Sequence, residues 1–302
     1  MPSITVDGRE IDLSRTDKPL FPDGTTKGDL IEYYRKIADA MIPYMADRPL
    51  VMHRFPDGVG GEDFYQKDMP DYFPRWIHHV TVEKEGGTVT HVVCDNAATL
   101  VYLADQACIT PHLWLSRRDR LHHPDRMILD LDPANGDFDD VRAGALLLRD
   151  ALEEVGLTPF VMATGSRGLH VVVPLDAGAD FERVRDFAGR LASHIAREDP
   201  KRFTTEQRKA KRRNRVFIDV ARNAYAQTAV APYSVRARER PYVAIPLDWK
   251  EANNAGLTAT GYTIRNIFRR LGQREDPWRD MNRYASSIKA AREKLNRLIS
   301  DR

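Results

Sequence analysis

The chain has 302 residues, 42% hydrophobic and 30% charged, and its 46 Lys and Arg nearly cancel its 44 Asp and Glu to leave a net charge of +2. Such a composition fits a soluble globular protein with a substantial core, and the net charge alone does not announce nucleic acid. No apolar run approaches the ~20 residues that a membrane-spanning helix needs, which excludes that class.

The length allows one large domain or two lobes. Cys94 and Cys108 show neither metal-ligand spacing nor a disulfide framework, which points to a reducing, cytosolic compartment. Met1 to Asp7 lacks a basic start followed by an apolar stretch, so no signal peptide is expected.

In chain order, Ile4 to Leu13 reads as a strand pair turning at Asp7-Gly8, and Lys18 to Gly24 as a turn-rich loop. Thr26 with Asp29 three residues on is a capping-box pattern. It predicts a helix to about Met45 with Leu30, Tyr33, Tyr34 and Ile37 on its apolar face. Lys27 would lie in the first turn, where N–H groups and the helix dipole favour an anion. With Lys18 on the loop before it, the pair is a candidate phosphate cradle, although lysines near helix starts are commonplace.

Leu50 to Phe55 is a predicted strand, followed by a glycine-rich acidic loop from Asp57 to Asp63 and then by Phe64-Tyr65-Gln66-Lys67. Adjacent aromatics beside a lysine suit base stacking with a phosphate contact, unless one ring belongs to the core. Val80 to Val93 alternates around Glu85-Gly86-Gly87, a hairpin signature. Asn96 to Ala107 reads as a helix and His112 to Leu115 as a buried strand, with His112 either a core histidine or a phosphate contact.

The stretch from Arg126 to Pro133 is apolar with aspartates at alternate positions, so as a strand it projects Asp130 and Asp132 together while Leu129 and Leu131 face the core. Paired carboxylates repel and call for a cation, for which hard oxygen ligands suit Mg²⁺ or Mn²⁺. An Asp-x-Asp at a strand end is also compatible with a solvated turn entry. Asp139 to Gly156 gives an amphipathic helix with Val141, Ala145, Leu148 and Leu152 at helical spacing. The runs Phe160 to Ala163 and Leu169 to Val173 are strands joined by Thr164-Gly165-Ser166-Arg167-Gly168. That turn can bring backbone N–H groups and Ser166 to an oxyanion, with His170 just beyond, or it is simply a hairpin turn.

Phe181 to Arg197 is a further helix. Lys201 to Arg215 then holds eight Lys and Arg against the single acid Glu206, either a solvated loop or a surface for an anion. Arg215 to Val220 is a short strand bearing Asp219, a third carboxylate that can complete a two-metal site with Asp130 and Asp132. Arg222, Arg236 and Arg238 follow and can hold a triphosphate by forked hydrogen bonds. Gly261 to Leu271 and Tyr284 to Ile299 read as the last helices.

The order Asp130-x-Asp132, Ser166-x-Gly-x-His170 and a lone strand Asp219 resembles the catalytic core of the archaeo-eukaryotic primase superfamily. Nearly the whole chain resembles the polymerase domain of the bacterial non-homologous end-joining ligase, most specifically in Leu129 to Pro133, Thr164 to His170, Phe217 to Asn223 and Gln227 to Arg238. The resemblance implies an α+β fold whose mixed and antiparallel sheets form an RRM-like core flanked by helices. It implies a single catalytic domain over 1–302, with an N-terminal lobe of roughly 1–105 carrying a 5′-phosphate site and a catalytic lobe of roughly 106–302.

The implied activity is template-directed addition of nucleotides to a primer end, with a preference for ribonucleotides, two Mn²⁺ or Mg²⁺ ions and recognition of a 5′-phosphate at a gap or break. By position, Asp130, Asp132 and Asp219 would be metal ligands, and His112, Ser166, His170, Arg222, Arg236 and Arg238 would hold the incoming triphosphate. Lys18 and Lys27 match the 5′-phosphate pair, and Phe64 matches a ring that stacks on the template side. The partners implied are gapped or broken DNA and NTP or dNTP, with a separate ligase and the end-binding protein Ku left as questions, and the implied location is the cytoplasm, at the nucleoid.

The family usually has two phenylalanines where this chain has Phe64-Tyr65, and lysine where it has Arg167. There is no Lys-x-Asp-Gly ligase motif, which suggests a stand-alone polymerase or an excised domain. The rival readings are a metal-dependent nuclease or phosphoesterase using the same acids, and a DNA-end binding module that needs only the cations.

Overall fold

Residues 2–134 and 138–300 are described in the computed structural model of the chain. β1 (Ser3–Val6) and β2 (Arg9–Asp12) form the expected hairpin. Thr26 caps α1 (Lys27–Met45). Its hydroxyl accepts from the Asp29 N–H while the Asp29 carboxylate accepts from the Thr26 N–H at 2.8 Å, satisfying two groups that the first turn leaves without helical partners. Leu30, Tyr33, Tyr34 and Ile37 are all buried, as the spacing requires. β3 (Pro49–Arg54), β4 (Phe64–Gln66), β5 (His79–Lys84) and β6 (Gly87–Val93) follow. After α2 (Ala97–Asp105), capped by Asn96, comes β7 (Cys108–Trp114), buried at every position. These strands make an antiparallel sheet in the order β7-β3-β6-β5, with β4 on β3.

The second sheet begins with β8 (Arg126–Asp132), which ends before Pro133. α3 (Phe138–Glu154), β9 (Phe160–Ala163), β10 (Leu169–Pro174), α4 (Phe181–Glu198), β11 (Phe203–Thr204) and β12 (Val216–Asp219) complete this part of the chain. Along β8, Met127, Leu129 and Leu131 are fully buried and alternate with Asp130 and Asp132. α3 crosses the apolar face at Gly144, where a Cβ would stand 2.8 Å from the Phe203 ring and 3.4 Å from the Leu131 side chain. The opposite face is thereby left to the polar residues. α4 covers the sheet with Phe181, Val184, Phe187, Leu191 and Ile195, each worth about 1.5–3 kcal/mol on burial.

β13 (Thr228–Val230) returns to the free edge of β7, β14 (Val235–Ala237) pairs with β15 (Pro241–Val243), and β16 (Ile245–Leu247) returns to β9. α5 (Trp249–Ala252), α6 (Ile267–Leu271) and α7 (Ile288–Ser300) close the chain. The full order of the two large sheets is β13-β7-β3-β6-β5 and β11-β12-β8-β10-β9-β16.

The compact units do not divide at about residue 105, and the starts of two helices are corrected. Met1–Trp114, Thr228–Ala244 and Tyr262–Gln273 make one compact unit, while Leu115–Gln227, Ile245–Gly261 and Arg274–Arg302 make the other, because β13 and β16 each return to a sheet laid down earlier. The helix expected over Gly261 to Leu271 starts only at Ile267, because Tyr262 and Ile264 are held in backbone hydrogen bonds to Val243 and Pro241. The helix expected from Tyr284 starts at Ile288, because Ser286 forms a bridge with Leu175.

Candidate active site

Strand register builds the centre of the site. Asp219 on β12 and His170 on β10 both lie directly across from Asp130 on β8, so the three form a row over adjacent strands, with Asp132 two residues further along the same face. His170 Nε2 stands 3.4 Å and Arg222 Nε 3.8 Å from the Asp130 carboxylate. His170 is buried, and its Nδ1 has no hydrogen-bond partner among the described residues. Arg167 Nη2 donates to both oxygens of Asp132 at 2.9 and 3.1 Å, with Arg212 Nη1 at 3.7 Å. Burial raises the Asp132 carboxyl above its ordinary range. Asp130 adds to that rise, and Arg167 and Arg212 oppose it.

Two backbone devices hold this row. The 3₁₀ turn Ala221–Asn223 follows β12 directly, and Asp219 Oδ1 accepts from the Ala221 N–H at 2.7 Å. Asn223 is fully buried. Its Oδ1 accepts from Ile128 N at 2.8 Å and its Nδ2 donates to Ile128 O at 2.6 Å, so the amide continues the strand ladder where β12 stops. Arg222 is thus fixed one residue from a clamp on β8. On the other side, the turn from Thr164 to Gly168 is closed by Thr164 N and Oγ1, which both donate to Gly168 O. Ser166 sits half-buried at its apex, with Gly165 at φ +65 beside it.

Asp130, Asp132, Asp219, Ser166, His170 and Arg222 therefore belong to one unit, and the structure brings the aspartates, His170 and Arg222 together. Among the described residues, no three His, Cys, Asp or Glu side chains stand at the spacing of a formed metal cage, and guanidinium groups neutralise the carboxylates instead. The donor set nonetheless suits a hard divalent cation: all-oxygen carboxylates, half-buried, on one face of two paired strands.

His112, Arg236, Arg238, Lys18, Lys27 and Phe64 belong to the other unit. His112 is buried on β7, with its ring 5.5 Å from that of Tyr65 in an edge-on contact. Tyr65 stacks at 4.0 Å on His53, whose Nε2 meets Asp63 at 2.6 Å. Burial holds the His53 imidazole below its ordinary range, and the charge of Arg236 adds to that effect. Arg236 lies on β14 and Arg238 just beyond it, exposed. Phe64 is exposed.

The two lysines of the expected phosphate cradle differ in their surroundings. Lys18 is partly exposed and donates to Pro56 O at 2.6 Å and to Asp57 at 2.8 Å. Lys27, by contrast, is buried. Its ammonium spends all three donors, on Ser14 Oγ at 2.8 Å, Asp105 O at 3.0 Å and Asp105 Oδ1 at 2.9 Å. The capping pattern places Lys27 on the helix but says nothing of the carboxylate that α2 brings to it. Breaking one half of a buried ion pair leaves the other charge uncompensated, so Lys27→Met is expected to lose about 3–5 kcal/mol of stability, and Lys27→Met/Asp105→Leu to recover most of it. Urea unfolding of the parent, single and double variants checks this; a single variant as stable as the parent would refute it.

Sequence reasoning missed Asn223, which carries no charge and announces nothing by its spacing. It also missed Arg212, which is hidden in a run that reads as solvated surface. The Arg212 guanidinium lies 3.8 Å over the Phe217 ring and donates to Glu206 O and Gln207 O. Alternation along Arg215 to Val220 puts Phe217 and Asp219 on one face, which is the only signal that could have found it.

The family model described as "LigD, primase-polymerase domain" matches residues 26–278. The multifunctional non-homologous end joining DNA repair protein LigD of Mycobacterium tuberculosis (strain ATCC 25618 / H37Rv) is 33% identical over 264 residues, covering 84% of this chain and 35% of that protein. The bifunctional non-homologous end joining protein LigD of Bacillus subtilis (strain 168) is 29% identical over 277 residues, covering 91% of this chain and 44% of that protein. The chain thus spans less than half the length of these relatives. Among solved structures, the polymerase domain from Mycobacterium tuberculosis ligase D in complex with DNA superposes with a TM-score of 0.85 at 30% identity, covering 91% of this chain and 99% of that one.

Proposed function

The chain belongs to the LigD primase-polymerase domain family, a family of DNA-directed nucleotidyltransferases, and on that premise we propose that it extends a 3′ end along a template at DNA gaps and breaks, preferring ribonucleotides and recognising a 5′-phosphate. The observation that carries this reading is the cross-strand row of Asp219, Asp130 and His170 with Asp132 on the same face. Asp130, Asp132 and Asp219 would hold two Mn²⁺ or Mg²⁺ ions. When bound, such ions lower the pKa of an attacking hydroxyl and offset charge on the phosphates.

The chain's own side chains then bind and orient. His170 and Arg222, already beside Asp130, are placed to donate to phosphate oxygens, with Ser166 presented by its turn. His112, Arg236 and Arg238 supply the remaining triphosphate contacts of this reading, and Phe64 the template-side stack. Donors held rigidly before substrate arrives cost no reorganisation as charge develops, so catalysis is mostly positioning and electrostatics. For the 5′-phosphate, Lys18 supplies the accessible ammonium, and the buried Lys27 anchors the loop that carries it. The relatives are named for non-homologous end joining; on this reading the chain works in that pathway on gapped or broken DNA with NTP or dNTP, and a separate ligase and Ku are the further partners to test, at the nucleoid.

The test is extension of a labelled primer across a short gap with a 5′-phosphate, in Mn²⁺, with ribo- and deoxynucleotides compared. The parent chain is expected to lengthen the primer, faster with ribonucleotides. Asp130→Ala/Asp132→Ala should bind the same DNA without lengthening it, and Lys18→Ala should lower the preference for a 5′-phosphate by roughly tenfold, the value of one charge-assisted hydrogen bond. A primer that is shortened would replace this reading with a phosphoesterase, and tight binding without extension in the parent would replace it with an end-binding module.

A further inference from the structure

Large exposed apolar side chains are few among the described residues, and three of them, Phe64, Tyr65 and Tyr72, lie within nine positions of each other. Scattered exposed rings need no explanation, but a cluster does. Tyr72 is the most exposed of the three, at 62%. It does not hang loose. Pro70 O accepts from Phe73 N in a tight turn, and Phe73 is buried edge-on against Tyr102 at 5.0 Å, which fixes the turn and points its neighbour outward.

Arg54 ties that ring to Phe64. Its Nε donates to Gln106 O at 2.8 Å, and its Nη1 to Gln66 Oε1 at 2.7 Å and to the Tyr72 hydroxyl at 3.2 Å. The same guanidinium lies 5.6 Å over the Phe64 ring. The Tyr72 hydroxyl also reaches Gln106 Oε1 at 3.4 Å. A tethered edge with an open face is how an aromatic side chain accepts a flat ligand without paying for its own ordering. The next residue back is Asp71, exposed like Tyr72, a charge that weighs against a phosphate nearby.

We propose that Tyr72, held by Arg54, is a stacking site for an unpaired base of a DNA strand, additional to the ring at Phe64. This rests on the polymerase reading for the presence of DNA, and specifies where single-stranded DNA is gripped. The site is sequence-tolerant, because every base offers a π-face and Arg54 and Tyr72 present no arrangement that reads a base edge.

The experiment compares the full chain, Tyr72→Ala and Tyr72→Phe for affinity to a blunt duplex and to the same duplex with a single-stranded overhang carrying 2-aminopurine. Tyr72→Ala is expected to bind the overhang DNA roughly tenfold more weakly, in line with the loss of one stacked base, and to relieve quenching of 2-aminopurine, while its affinity for the blunt duplex is unchanged. Tyr72→Phe, which keeps the ring and loses the hydroxyl tether, should bind between the parent and Tyr72→Ala and retain the quenching. Equal affinity of the parent and Tyr72→Ala for overhang DNA overturns the proposal and leaves the polymerase reading standing. A Phe variant as weak as the Ala variant overturns it too, since the tether rather than the ring face would then be at work. A parent chain that binds neither DNA defeats both.

Discussion

Asp219→Asn is expected to fold like the parent chain and yet to extend primers about a hundred- to a thousandfold more slowly. Asp219 does two things that this substitution separates. Its Oδ1 accepts from the Ala221 N–H at 2.7 Å and so starts the 3₁₀ turn that carries Arg222 and the Asn223 clamp. An amide oxygen accepts that bond equally, so the turn survives. The charge does not survive. Asp219 faces Asp130 across β12 and β8, and deleting one preorganised charge from a phosphoryl-transfer site typically costs ~10²–10³ in rate. Asp219→Ala removes the turn acceptor as well, a loss like that of a helix cap, and should fall about 1 kcal/mol below the Asn variant in stability. Steady-state extension with urea unfolding of both variants checks the two halves independently. Unchanged extension by Asp219→Asn would take this residue out of the site, and equal stability of the two variants would make the turn bond irrelevant.

How much of this was legible beforehand depends on whether the deciding contact is local. The Thr26 and Asp29 capping box, the hairpin at Glu85-Gly86-Gly87 and the alternation of Leu129 and Leu131 with Asp130 and Asp132 are each settled within a few residues, and each stands in the structure as read. Three aspartates could likewise be picked out, because carboxylates on apolar strands are expensive without a cation. Register between strands is another matter. That Asp219 and His170 both face Asp130 follows from the pairing of three strands with long crossovers between them, and no periodicity in one strand reports its neighbour. The ion pair of Lys27 was hidden for the same reason: its partner Asp105 arrives from another helix. The division into lobes failed because β13 and β16 return to sheets begun much earlier.

Gly168→Ala is expected to be the most damaging of small substitutions near the site, removing about 4 kcal/mol or more of stability together with primer extension. Gly168 is not at positive φ, so what it supplies is space rather than backbone freedom. A Cβ there would stand 1.9 Å from Leu131 O and 3.0 Å from Leu131 C, both backbone atoms in the interior of the β8 pairing, where no side chain can swing aside. Ordinary carbon–oxygen contacts are about 3.3–3.6 Å, so β10 would have to part from β8 by more than an ångström at its first residues. Those residues are Leu169 across from Leu131 and His170 across from Asp130, and the displacement would break ladder hydrogen bonds and draw the imidazole away from the carboxylate. Overpacking against backbone belongs to the small class of substitutions whose cost exceeds 4 kcal/mol, a large share of the ~5–15 kcal/mol that holds a domain folded. Gly189→Ala on α4 is the matched control. A Cβ at that position meets nothing within 4 Å, and alanine is the better helix former by about 1 kcal/mol, so the control should be at least as stable as the parent. Thermal unfolding of the two variants side by side decides the matter: if Gly168→Ala melts with Gly189→Ala, then β8 and β10 are not packed as tightly as their register implies, and His170 has more freedom beside Asp130 than the site requires.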